Sequence, residues 1–294
     1  MENMALTLFQ PAFDIFLILF IGVTSIVLRQ TIQPVYRGFF CDDQSLMHPY
    51  KSSTINAALL YSVSFIVPFV TIALVEYVIL LFRKRQQEQN GNVTQDKKTL
   101  WLRWLKRCLR LLILFFYGVA IVHFTTNISK YSLGRLRPHF ITVCKPDYSK
   151  FNCSAGFIED PHCTGDNAKQ LLEARISFPS GHASMAVYTM IFTVLYLEKR
   201  FTWDGILLLK PFIHTWLFYM AYYTCMTRIS DYKHHWSDVL GGAILGFIIA
   251  LLMIYKVYNL LHKEEVCLEE KKVDNISEGA ETAVQAHAKH VTAL

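Results

Sequence analysis

Charge is in short supply in this chain. Asp, Glu, Lys and Arg together make up 18% of its 294 residues, against 53% hydrophobic ones, too little to coat an ordinary soluble domain. Other absences narrow the reading further. The first ten residues have no basic start and no clear small-residue cleavage site follows, so no cleavable signal peptide is expected and the first apolar stretch should act as an uncleaved anchor. There is no pair of Gly/Pro-broken apolar segments in related halves of the chain, the pattern that would point to a transporter. No basic patch suits nucleic acid either: the net charge of +6 is concentrated between two apolar stretches, where it meets lipid headgroups.

What is present is apolar sequence in long blocks. A hydrocarbon core of roughly 30 Å takes about 20 helical residues to cross. Residues 11–33, 55–82, 109–130, 181–197, 207–228 and 237–258 meet or approach that length. The expected fold class is therefore an all-α integral-membrane protein with six transmembrane helices. Its membrane domain covers residues 1–262 and a polar, disordered cytosolic tail covers 263–294. The fourth stretch is short and ends in Glu198-Lys199-Arg200, whose long side chains are expected to snorkel. Between stretches two and three stand Arg83, Lys84, Arg85, Lys97, Lys98, Arg103, Lys106, Arg107 and Arg110. That basic loop stays cytosolic, and an even span count then puts both termini in the cytosol. Within it, Leu100, Trp101, Trp104, Leu105 and Leu109 alternate with basic residues, as in an interfacial amphipathic helix or a plain extension of the third span.

By this topology Cys41, Cys144, Cys153 and Cys163 lie outside the cytosol, where disulfides form, with three pairings open. Cys108, Cys225 and Cys267 are expected as free thiols. Of the sequons, Asn92 and Asn275 fall in the cytosol and Asn127 too near the bilayer, leaving Asn152 as the glycosylation site. The ending Val291-Thr292-Ala293-Leu294 could add as a strand to a carboxylate-binding domain such as PDZ. Glu76 is expected to make a polar contact inside the bundle, and His123 and His214 to hydrogen-bond with neighbours. A homo-oligomer is left open.

Three polar clusters fall on one side of the membrane by this topology. The first is Lys130-Tyr131-Ser132-Leu133-Gly134-Arg135-Leu136-Arg137-Pro138. On a helix Lys130 and Arg137 share a face about 10 Å apart, Pro138 ends the helix, and two cations at a helix end suit a phosphate. Simple snorkelling is the plainer alternative. The second is Phe178-Pro179-Ser180-Gly181-His182, where a capped helix start with a glycine makes an anion site and puts His182 in the first turn. An incidental histidine in a capped helix is the rival reading. The third runs from Thr227 and Arg228 to Asp238. A helix would set Asp238 against His234, four residues earlier, and orient its ring. His235 is equally within reach, and a surface ion-pair cluster is the duller reading. Three cations, two histidines, a carboxylate and a helix-end nest are a parts list for phosphoryl transfer. The cations around the histidines would repel a divalent ion, so no metal and no other cofactor is expected.

At these residues the chain resembles the lipid phosphate phosphatases, the type-2 phosphatidate phosphatase superfamily, whose pattern is Lys-x6-Arg-Pro, Pro-Ser-Gly-His and Ser-Arg-x5-His-x3-Asp. Thr227 stands where serine is usual. The resemblance covers most of the chain except the tail. It implies that His234 is the nucleophile that forms a phosphohistidine, oriented by Asp238, and that His182 is the general acid and then base. It implies too that Lys130, Arg137, Ser180, Gly181 and Arg228 bind phosphate, and that catalysis proceeds without magnesium. The implied substrates are phosphatidate, lysophosphatidate, sphingosine 1-phosphate and ceramide 1-phosphate, met in the plasma membrane with the site facing outside, or facing the lumen of an internal membrane. The alternatives are a non-catalytic lipid-phosphate-binding membrane protein, a related membrane phosphotransferase and a sugar-phosphate phosphatase.

Overall fold

A computed structural model of the chain describes residues 2–89, 97–201 and 205–262. Asn92, Asn275, Cys267, the tail from residue 263 and the Val291–Leu294 ending lie outside the described residues. The chain divides into two units, residues 1–253 and 254–294. The second is described only as far as His262 and is helical to that point.

Helices dominate. They are α1 (Glu2–Thr31), α2 (Ala57–Gln89), α3 (Lys97–Leu133), α4 (Phe140–Cys144), α5 (Ala168–Ala174), α6 (Gly181–Arg200), α7 (Leu209–Ser230) and α8 (Trp236–His262). Each expected apolar stretch coincides with a long helix. Four segments, Phe9–Thr31, Ala57–Gln86, Lys98–Leu133 and Trp236–His262, are long and apolar enough to cross a bilayer, which makes the chain an integral membrane protein. Helix α3 runs unbroken from Lys97, so the basic, Trp-rich segment is an extension of the third span.

α6 is the centre of the bundle and packs on α2, α3 and α7, while α1 packs on α3. Its Tyr188, Phe192 and Tyr196 are fully buried, as are its Ser184 and Thr189. A polar central helix is stable because its hydroxyls find partners inside the bundle: Tyr188 donates to the Phe115 carbonyl at 2.7 Å, and Thr126 and Ser184 meet at 3.2 Å. Glycine decides how closely α8 approaches α6. A Cβ at Gly242 would strike the Ser180 carbonyl, and one at Gly246 the Ser184 carbonyl.

Arg200 departs from expectation. It does not snorkel; it is 8% exposed and grips buried Glu76 with Nε at 2.7 Å and Nη2 at 3.0 Å. Glu76 also accepts from the Tyr196 hydroxyl at 3.0 Å and lies 3.6 Å from Arg107. A carboxylate held this deeply outweighs the pull of the headgroups on one arginine. Glu76 thus makes the interior contact expected of it, and His123 meets the Tyr61 hydroxyl at 2.9 Å. His214 Nδ1 lies 3.9 Å from Glu198, with its Nε2 unpartnered among the described residues.

A small second core lies in the segments that precede α2 and follow α3. Phe39, Leu46, Leu136, Phe140, Cys144, Ile158 and Ala174 form it. Phe39–Phe40 pairs antiparallel with Phe157–Ile158. Cys41–Cys153 and Cys144–Cys163 are bonded, which selects one of the three pairings, while Cys108 and Cys225 are free and buried. Arg175 stacks over Tyr36 at 3.8 Å and over Phe140 at 5.0 Å, joining the two segments again.

Candidate active site

The first cluster does not fold as a single helix. α3 stops at Leu133 because Gly134 takes a left-handed conformation (φ +54), the usual terminator of a helix. Arg137 therefore lies beyond the helix end and not on the helical face predicted for it. Its N–H donates to the Ala174 carbonyl at 2.8 Å, and this turn-back brings Arg137 to Lys130 by a different route.

The second cluster folds as expected. Ser180 is the N-cap of α6, accepting from the Ala183 N–H at 3.4 Å, and His182 sits in the first turn. The side chain of Ser180 is fully buried and devoted to that cap, while its N–H donates to the Asp238 carbonyl at 2.9 Å. A Cβ on Gly181 would lie 3.8 Å from Lys130 Nζ, so glycine keeps the helix start open beside the lysine.

The third cluster is a non-helical turn. Residues 231–235 precede α8, and Tyr232 has φ +55. His139 holds that turn from the first cluster, its Nδ1 being 2.7 Å from the Tyr232 carbonyl. His234 and Asp238 consequently do not pair as helix neighbours: Nδ1 and Oδ2 are 3.9 Å apart. Ser177 fills the space between them, with its hydroxyl 2.5 Å from Asp238 Oδ2 and 3.4 Å from His234 Nδ1. Arg135 completes the carboxylate's shell at 2.6 Å. Asp238 Oδ2 also accepts from the His235 N–H at 3.0 Å, capping α8.

Lys130, Arg137, Gly181, His182, Arg228 and His234 line one cavity of about 350 Å³. Asp238 and Ser180 lie behind this lining, and His235 turns away to meet the Leu136 carbonyl at 3.1 Å. Geometry therefore separates the two adjacent histidines that spacing could not. Burial and the cations of Lys130 and Arg137 hold the His234 imidazole well below its ordinary pKa. The ring is neutral at physiological pH and keeps a free electron pair. Its Nδ1 faces Ser177, leaving Nε2 for the cavity. Burial pushes Arg137 down to about 10, which still leaves it charged.

Lining residues to which the sequence assigned no role include four with polar or charged groups beside the cations. Ser53, Tyr50, Lys233 and Glu173 all face the cavity. Ser53 Oγ and the Ile55 carbonyl hold Arg228 at 3.2 and 2.9 Å, and Asp231 binds it at 3.3 Å. Asp231 in turn accepts from the Thr54 N–H at 2.7 Å. The segment before α2 is thus latched to the third cluster. Lys233 Nζ lies 3.7 Å over the Tyr50 ring, and burial with the nearby Arg137 lowers it to about 8. Lys233 stands in the stretch already singled out; the others carried no local signal. Buried polar atoms without a hydrogen-bond partner among the described residues include Arg137 Nε, Arg228 Nε and His182 Nε2. Among the described residues no group of three His, Cys, Asp or Glu is placed to hold a metal ion.

Comparison with known proteins gives a consistent picture. Residues 111–261 match the model of the PAP2 superfamily. Phospholipid phosphatase 1 of Rattus norvegicus is 36% identical over 279 residues, which is 94% of this chain and 95% of that protein. Phospholipid phosphatase 2 of Mus musculus is 35% identical over 241 residues, covering 82% and 83%. The Homo sapiens phospholipid phosphatase 2 is 32% identical over 280, covering 94% and 93%. No solved structure matches the chain. With half of its length inside the family model and near-complete relatives above the level at which kinship is secure, the chain belongs to the PAP2 superfamily.

Proposed function

We propose that this chain is an integral-membrane lipid phosphate phosphatase that works through a phosphohistidine, without magnesium. The observation that carries the reading is the gathering of Lys130, Arg137, Arg228, His182 and His234 around one cavity. The relatives' names, phospholipid phosphatase 1 and 2, support a lipid substrate, and phosphate monoesters suit a pocket of this size. Phosphatidate, lysophosphatidate, sphingosine 1-phosphate and ceramide 1-phosphate are the proposed substrates.

In the proposed mechanism the phosphate seats among the three cations and the open start of α6, where donors are already in place for its oxygens. His234 Nε2 attacks phosphorus as the bond to the lipid oxygen breaks. Ser177 and Asp238, behind Nδ1, hold the ring's other edge and offset the positive charge it gains. His182 gives a proton to the departing alkoxide, then takes one from the water that attacks the phosphohistidine and releases inorganic phosphate. The cations neutralise the charge that a magnesium ion would otherwise meet. Ser180 acts by holding the helix start in place.

Six spans suit this chemistry. α6 and α7, of 20 and 22 residues, are about 30 Å long or slightly more, enough to cross a bilayer. Their polar side chains turn inward at Thr193 and Thr224, and α7 presents Phe212, Trp216 and Phe218 outward. The two disulfides tie the segments flanking the cavity, as befits an outer face. The site then opens outside the cell, in the plasma membrane, with Asn152 exposed for glycosylation. Residues 1–262 form the membrane domain, and the rest is a cytosolic tail that could engage a PDZ partner.

The test is phosphate release by purified protein in detergent with chelator present, for wild type and His234→Ala. Lipid-dependent release that disappears in the variant is expected; full activity in the variant overturns the nucleophile assignment. Intact cells hydrolysing an added short-chain lipid phosphate would establish the orientation.

A further inference from the structure

Glu173 is out of place in an anion site. Among the described residues that line the cavity it supplies the one carboxylate, where Lys130, Arg137, Arg228 and Lys233 stand ready for phosphate. A negative charge there opposes the group that the cations attract. The acids nearby are engaged: Asp231 meets Arg228 at 3.3 Å, and Asp238 is held by Arg135 and Ser177. Glu173 is not. Among the described residues no hydrogen bond or ion pair engages its side chain. Its backbone, in contrast, is firmly anchored. Ala174 beside it is fully buried in the second core and accepts the Arg137 N–H at 2.8 Å. Arg175 is clamped over Tyr36 and Phe140. The carboxylate is thus fixed near Arg137, and of the charged groups around that guanidinium it acts on it most strongly.

The geometry points to Glu173 as the residue that sets specificity among lipid phosphates, by accepting a hydrogen-bond donor carried one carbon beyond the phosphoester carbon, an ammonium above all. The inference rests on the phosphatase reading and adds which substrate chemistry the cavity favours. In a sphingoid phosphate the path from phosphorus through oxygen and two carbons to nitrogen spans roughly 4–5 Å. A cavity of about 350 Å³ has room for both ends of that unit. With the phosphate seated on Arg137, an amine at that distance reaches a carboxylate fixed beside Arg137. An alkyl amine is charged at neutral pH, and its bond to a carboxylate is charge-assisted, stronger than a neutral one. The ammonium also cancels the charge that would oppose phosphate. Lysophosphatidate can offer a hydroxyl and ceramide 1-phosphate an amide N–H at the same position, both neutral donors. Phosphatidate has an ester there, an acceptor facing an acceptor. Dependence on Glu173 should fall in that order.

The test pair is sphingosine 1-phosphate and its N-acetyl derivative, which share a chain and differ at nitrogen. Both are presented in mixed micelles to wild type and Glu173→Gln. The ratio of kcat/KM for amine over amide should fall about tenfold in the variant, through KM of the amine. Orthovanadate carries no amine and should inhibit the variant at least as strongly as wild type. Glu173→Asp keeps the charge and should recover part of the ratio. An unchanged ratio in Glu173→Gln, with both lipids gaining or losing together, would overturn the inference. Weaker inhibition by orthovanadate would do so too, because it would put Glu173 in the phosphate cradle itself. The two readings fail differently. No phosphate release from either lipid by wild type counts against the phosphatase reading alone. Binding of both lipids to His234→Ala protein, with and without Glu173→Gln, then reads the preference without turnover. A tenfold drop in relative affinity for the amine supports the inference, and an unchanged relative affinity sinks it.

Discussion

Two buried polar clusters stand at different depths of the same bundle, and they are built on opposite accounts of charge. Around Glu76 a carboxylate meets Arg200 bidentately, Arg107 at longer range and the Tyr196 hydroxyl. Every oxygen there has a donor, so the cluster is complete in itself. About 28 Å away along α2, the cavity collects Arg29, Lys130, Arg137, Arg228 and Lys233 against, among the described residues that line it, one carboxylate, that of Glu173. Asp231 pairs with Arg228, and Arg137 Nε and Arg228 Nε are buried without partners among the described residues. A bundle that can bury and satisfy arginine at one depth but gathers an excess of cations at another gives up stability at the second, which is what the proposed phosphate site requires. Structural and functional clusters are told apart by whether their charges close.

That contrast can be broken in four ways. The largest effect is expected from His234→Ala, with kcat down by at least about 10³-fold and an unchanged thermal unfolding midpoint in detergent. A large loss of stability instead would make the cavity cluster structural as well. Glu76→Gln should do the reverse. Leaving Arg200 buried beside a neutral group costs on the order of 3–5 kcal/mol, read as a lower unfolding midpoint with KM unchanged in the protein that survives. Ser177→Ala tests the relay between Asp238 and His234. Displacing the ring by a fraction of an ångström is expected to lower kcat about 10²-fold while leaving phosphate affinity in place, and a Thr in its position should restore part of the rate. The smallest effect is on pH dependence. Lys233 is charged below about 8 and neutral above it, so substrate affinity should weaken as pH rises through that value. Lys233→Arg should remove the alkaline limb, and an identical profile in the variant would take Lys233 out of phosphate binding. His234, held well below its ordinary value, should keep its reactive neutral form into mildly acidic conditions.

Some of the site was legible from short stretches of chain and some was not. Ser180 and His182 were placed correctly because a capped helix start is a local structure, decided by a handful of adjacent residues. Arg137 and His234 were assigned to helices that do not extend so far. Gly134 ends α3 early, and the His139 contact to the Tyr232 carbonyl keeps the turn before α8 open. The residues came together regardless, through backbone bonds such as that from Arg137 to Ala174. Ser177 and Arg135 were invisible as partners of Asp238 because they lie 61 and 103 positions away, beyond any periodicity.

Hydropathy alone determined where the long helices run and that the chain is an integral membrane protein, and short local patterns marked the capped start of α6, since each depends on side chains within a turn or a span of one another. The tertiary structure alone decided which histidine faces the cavity, which cysteines pair and how the segment before α2 supports Arg228. Those outcomes depend on which distant surfaces meet, and packing in three dimensions selects among alternatives that no local pattern distinguishes.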